Sequence, residues 1–236
     1  MVLILLGLGL GLLCLYLFSS RLSDGVVTLG KHKFMIPEMN ASLDSTIPWW
    51  LQVLPGLDDG SRDFLLFFPV EEIVQHIPAY RTRDGNYKED IIAILSVLTD
   101  EEIRRHQDPN FGLWGEAWHG TGGFDHRLTE RSEDGYYKIY QEIGYPNRWK
   151  RWALLTQNPT LGNPLPKRPE DFWVAYCSIS NAPATSTGKH THCSMYEFFD
   201  DIAIDFRLSE QNLHLISEVK KFLREKVLEW KVVDKG

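Results

Sequence analysis

Residues Val2 to Phe18, VLILLGLGLGLLCLYLF, form one unbroken apolar run at the head of the chain, and Arg21 is the first charged side chain. Seventeen residues sit at the short end of what spans a bilayer, where ~20 is typical. A segment this apolar at an N-terminus meets a membrane as a signal peptide or as an anchor. A signal peptide carries a basic n-region and small residues at its cleavage site. Here no Lys or Arg precedes the run, and Ser19-Ser20 follows it. The reading is therefore an uncleaved N-terminal hydrophobic helix, residues 1–21, anchoring one soluble domain over residues 22–236.

Two signals bear on which side that domain occupies. Arg21, Lys31 and Lys33 follow the run, which by the positive-inside rule favours the cytoplasm. The cysteines favour export. Cys177 and Cys193 are the only cysteines beyond the run, and an even pair bracketing a hairpin in an exported domain reads as a disulfide. Closing a loop of that size contributes roughly 3 kcal/mol. In a reducing compartment the same two residues would be small buried hydrophobes. Export makes the protein single-pass, with its body on the exported side of the membrane.

The polar remainder is ordinary globular sequence, with 43% hydrophobic and 24% charged residues over the whole chain. A net charge of -7 excludes nucleic acid as a partner, because phosphate binding needs clustered Lys and Arg. It is compatible with a basic protein partner.

Strands are expected at Val26–Ile36, ended by Pro37, at Phe64–Phe68, at Ile73–Tyr80 and, after an Asp84-Gly85 turn, at Ile91–Leu98. Thr99-Asp100-Glu101-Glu102 is a capping box that opens a helix ending before Pro109. Phe111–His126 reads as a Gly-rich loop with packing tryptophans. Asp134-Gly135 makes a second hairpin, and Trp152–Leu155 a short strand. Phe172–Ile179 alternates, with Phe172, Val174 and Tyr176 on one face and Trp173, Ala175 and Cys177 on the other. Asn181–Lys189 is a turn-rich loop. Ile202, Ile204 and Phe206 share a strand face. Ser209 caps a helix whose stripe is Ile216, Val219, Leu223, Val227 and Trp230. The class is α+β: antiparallel β hairpins packed by a C-terminal amphipathic helix, preceded by the N-terminal hydrophobic helix.

Few residues carry a chemical signal. His190-Thr191-His192 puts two imidazoles on one strand face, and Glu197 is a possible third ligand for a divalent metal, in a pattern like the first cupin motif. The glycine expected after Glu197 and a second His-bearing motif are missing. His119, Asp125 and His126 flank Gly122-Gly123 without phosphate-loop spacing. There is no catalytic signature, and no cofactor is implied. Trp49, Trp50, Trp114 and Trp118 are candidates for partner contact, since tryptophan is enriched at interface hot spots; the alternative is that they fill the core.

The order of parts resembles membrane-tethered immunity proteins of bacterial type VI secretion systems. The shared parts are an apolar leader, the segment Leu29-Gly30-Lys31-His32-Lys33-Phe34-Met35-Ile36-Pro37, hairpin strands, a Cys-bearing hairpin from Tyr176-Cys177 to Cys193, and a closing helix from Ser209 to Trp230. That resemblance implies a non-enzymatic protein that binds and neutralises a cognate toxin. Two other functions stay open: a metal-dependent enzyme using His190, His192 and Glu197, and an accessory subunit of a membrane complex.

Overall fold

The computed structural model describes residues 25–41, 62–82, 89–142, 151–180 and 190–232. The apolar run, its expected helix, Trp49, Trp50, Asp84-Gly85 and the loop Asn181–Lys189 lie outside the described residues.

The fold is α+β and its large sheet is antiparallel throughout. A small hairpin comes first, β1 (Gly25–Leu29) against β2 (His32–Ile36). The sequence predicts one strand here; the chain instead reverses at Gly30, whose φ of +55° is open to glycine without a Cβ clash. The main sheet contains β3 (Asp63–Phe68), β4 (Ile91–Val97), β5 (Phe124–Arg131), β6 (Tyr137–Gln141), β7 (Arg151–Leu155), β8 (Trp173–Ser180), β9 (His190–Phe199) and β10 (Ile202–Ser209). Their order is β3-β4-β10-β9-β8-β7-β6-β5. After β4 the chain crosses to the far edge, then meanders back until β10 slots in beside β4.

That crossing is made by α2 (Asp100–Gln107) and α3 (Gly112–His119). Thr99 caps α2 as expected, its hydroxyl accepting from the Glu102 amide at 3.3 Å. α3 occupies sequence that reads as loop. Gly112 and Gly115 lower its helix propensity, but Gly115 has a steric reason to be there. A Cβ on it would lie 2.2 Å from the Asn110 carbonyl oxygen. The helix survives because Trp114, Ala117 and Trp118 bury its inner side.

A second correction is α1 (Val70–His76), in place of the strand expected at Ile73–Tyr80. Val70, Ile73 and Ile77 recur at helical spacing and are buried. Pro69 precedes the first turn, which holds Glu71 and Glu72, a favourable place for carboxylates. The β-branched residues mimic a strand signal. The C-terminal helix also begins differently. Glu210–Leu215 is a 3-10 segment, and α4 runs Ile216–Trp230; Ser209 makes no side-chain cap bond.

Alternation divides the sheet into two cores. On the front face, Leu66, Leu95, Ile204, Met195, Cys177 and Leu154 pack under α4 and the β1–β2 hairpin. The predicted stripe holds: Val219, Leu223, Val227 and Trp230 are buried, joined by Phe222, with Ile216 packed at the margin. Trp230 stacks on Phe68 with centroids 5.7 Å apart. On the back face, Ile139, Ala153 and Leu155 pack under α3. Strict alternation along β8 breaks, because Leu154 faces Ala175 whereas Leu155 faces Trp173. Val174 is thus the extra residue of a bulge. Trp173 joins the back cluster, and Ala175 and Cys177 join the front one.

One polar clamp ties the small hairpin to the sheet. Asp201, in the β9–β10 turn, accepts from His32 Nε2 at 2.8 and 3.0 Å and from Lys31 Nζ at 2.8 Å. Burial alone would raise the Asp201 carboxyl, but the bonds from Lys31 and His32 outweigh it and hold it below the usual range. Asp201→Asn is expected to lower stability by roughly 1–2 kcal/mol at neutral pH. A depressed carboxyl contributes fully above its unfolded value, about 3.9, and loses that contribution as pH falls through the folded value. Urea unfolding of wild type and variant should therefore differ at pH 7 and converge near pH 2. A gap that stays constant would rule the ionised clamp out.

Candidate functional site

The Cys-bearing hairpin is the best-defined of the sequence-predicted features. Cys177 and Cys193 are opposite one another in the β8–β9 register and form a disulfide, with Cα atoms 4.0 Å apart. Both cysteines are fully buried on the front face, so the bond staples the centre of the sheet.

The His-x-His pattern does not close into a three-ligand constellation with Glu197. His192 and Glu197 are five residues apart on β9, and odd separations point to opposite faces. His192 is exposed, on the face shared by Ser194 and Tyr196. Glu197 is buried on the front face, where it pairs with Arg224 and lies 3.9 Å from Lys220 Nζ, both on α4. Burial pulls the Lys220 ammonium down, with Glu197 pushing back. Glu197 therefore anchors α4 to the sheet. His190 begins β9 opposite Ser180, and its side chain lies outside the described set. No group of three His, Cys, Asp or Glu side chains among the described residues is arranged to hold a metal.

The second cluster is likewise dispersed into local bonds. His126 Nε2 lies 3.0 Å from the Ala117 carbonyl, and His119 Nε2 lies 3.0 Å from Asn110 Oδ1. Asp125 takes bonds from the Arg127 guanidinium and amide, which hold its carboxyl at about 2. Of these contacts, His126 to Ala117 ties β5 to α3, whereas the other two are internal to their own segments.

Trp114 and Trp118 are core residues. Each is buried, and Trp118 meets Phe172 edge-on with centroids 4.9 Å apart. Trp114 meets Trp173 in the same way at 6.2 Å and donates its indole N–H to the Asp108 carbonyl at 2.8 Å. A side chain enclosed in this way offers a partner little surface. Asn40 is also enclosed: its amide donates to the Phe67 carbonyl and to Glu72.

Two accessible features were not anticipated from sequence. The first is an open groove of about 880 Å³ between the β5–β6 hairpin and the Glu210–Leu215 segment. Its walls carry both signs: Arg81, Arg131 and Lys138 stand with Glu130, Glu133, Asp134 and Glu210, and His214 lines the same groove. Lys138 is already paired with Glu210 at 2.9 Å, and Tyr140 donates to Glu130 at 2.8 Å. Burial, reinforced by Glu130, pushes the Tyr140 phenol up to about 12. Three cations meet four carboxylates, so the groove keeps too small an excess of one sign to concentrate a charged ligand.

The second is the back face over β3, β4 and β10, where Ile92 and Ile94 stay 55% and 41% exposed. α3 covers only the other half of that face. α2 reaches its margin through His106, whose ring centroid lies 4.8 Å from that of Phe198. Burial lowers the His106 imidazole, so this contact is made by a neutral ring at pH 7. The signal that could have found this face was Ile91-Ile92-Ala93-Ile94-Leu95, apolar on both sides of a strand.

No family model matches the chain, and no curated protein matches it. Among solved structures, an immunity protein of the Stenotrophomonas maltophilia type IV secretion system aligns with a TM-score of 0.48 and 11% identity, over 90% of this chain and 94% of that one. A score below 0.5 at that identity does not establish a common fold.

Proposed function

We propose that this chain is an immunity protein, a non-enzymatic body that binds and neutralises a cognate toxic effector. In this reading residues 2–18 tether it to the bacterial inner membrane, the body faces the periplasm, and the effector belongs to a type VI secretion system. The observation that carries the reading is the buried Cys177–Cys193 disulfide. Such bonds persist in oxidising compartments and are rare in the cytosol, and the periplasm is where an incoming toxin would be met. The candidate ligand Glu197 is committed to Arg224 and Lys220, which favours binding over turnover by that residue. An overall charge of -7 would steer a basic toxin face toward the body. No helix among the described residues is long and apolar enough to cross a membrane, so the tether rests on the sequence of residues 2–18 alone.

The test is co-expression with the product of the adjacent gene. Full-length protein should restore growth and co-purify with that product as a stable complex. A version lacking residues 2–18, sent to the periplasm by a foreign signal peptide, should bind but protect less, because the tether raises its concentration at the membrane. Absence of both complex and protection would end the proposal.

A further inference from the structure

On the proposed immunity reading, we infer that the open back face of β3, β4 and β10 is the effector-docking surface, and that it receives a protein segment presenting a Lys or Arg among apolar side chains. The register sets out the patch in rows. Leu65 faces Ile94, Ile94 faces Asp205, and Asp205 faces Tyr196, a continuous line across four strands. Phe67 faces Ile92 in the adjacent row. Leu65 and Phe67 are half-buried, and Ile92 and Ile94 are exposed. Scattered surface isoleucines need no explanation, but a contiguous apolar sheet face does.

Asp205 decides the chemistry of the occupant. It sits inside the apolar line and is only partly exposed. Burial raises its carboxyl, and Arg207, two residues along the same strand, pulls it back only in part. A cation brought over Asp205 would make a charge-assisted bond in a water-poor setting, where such bonds are strongest. Apolar neighbours of that cation would cover Ile92 and Ile94. A half-buried carboxylate inside an apolar line, with the exposed Arg207 at its margin, has the anatomy of an interface hot spot. The net negative charge of the chain favours the same sign of partner.

The experiment uses the full-length chain and a catalytically inactive form of the adjacent gene product. Ile92→Asp and Ile94→Asp should each weaken binding by about 100-fold, and Asp205→Asn by about 10-fold with a shallower salt dependence. Ile92→Ser reads the same contact more gently should an aspartate perturb the strand, and unchanged thermal unfolding certifies each variant. Leu128→Asp, at an exposed apolar site on β5, should bind like wild type. If wild type binds and every variant binds equally, the docking face is wrong while the immunity reading survives. If wild type forms no complex, both fall. If the chain dimerises alone and Ile94→Asp abolishes the dimer, a second copy occupies the face and the assignment is overturned.

Discussion

Trp118→Ala is expected to lower the unfolding free energy by about 3–5 kcal/mol, the cost of emptying a buried aromatic site. Trp118 closes the back core between α3 and β8, edge-on to Phe172 and close to Ala117 and Leu155. The helix that carries it is short, interrupted by Gly115, and depends on burial for its stability. Its loss should therefore exceed what the missing area alone implies, with α3 loosening from the sheet. In a chain of this size each kcal/mol shifts the midpoint by about 2–4 °C, so a fall near 10 °C is expected. Urea unfolding and a thermal scan measure it. The partner-contact reading of Trp118 makes the opposite prediction: an unchanged midpoint with weaker effector binding. A change under about 1 kcal/mol would return Trp118 to the surface.

Removing the Cys177–Cys193 bond should cost about 3 kcal/mol, since the two residues are 16 apart in sequence and the bond restricts the unfolded chain. Paired alanine substitution avoids burying two hydroxyls and so isolates the crosslink. Both sulfurs lie in the core, so reductant should act slowly on the folded protein and quickly once urea opens it. The midpoint in urea should fall on reduction in wild type and stay still in the double variant. Denatured protein should gain two titratable thiols on reduction. Equal thiol counts with and without reductant would remove the disulfide, and with it the main support for a periplasmic body.

Much of the local structure was legible in the residues. Asp134-Gly135 marked the β5–β6 hairpin, Thr99 with Glu102 marked the start of α2, and the spacing from Ile216 to Trp230 marked α4. Each is a short-range signal whose partner lies within a few residues. The pairing of Cys177 with Cys193 was legible for the same reason, because adjacent antiparallel strands bring such residues opposite one another.

The misread elements share a different cause. α1 and α3 have weak or misleading propensity, β-branched in one and Gly-rich in the other, and packing against the sheet overrides it. The Gly30 reversal depended on a single φ within a run that otherwise reads as one strand. The bulge at Val174 depended on the register of β7 against β8, which one strand cannot specify by itself.

Residue order alone thus determined most of the sheet strands, the Asp134-Gly135 turn, which helix face is greasy, and which thiols meet. Only the tertiary structure decided that β10 lies between β4 and β9, that Glu197 turns inward to Arg224 while His192 turns outward, and that Ile92 and Ile94 are left uncovered. Those outcomes depend on contacts between separate segments, β10 with β4 and α4 with β9, whose closure is driven by burying both sheet faces at once. No local pattern encodes which half of a face α3 will reach.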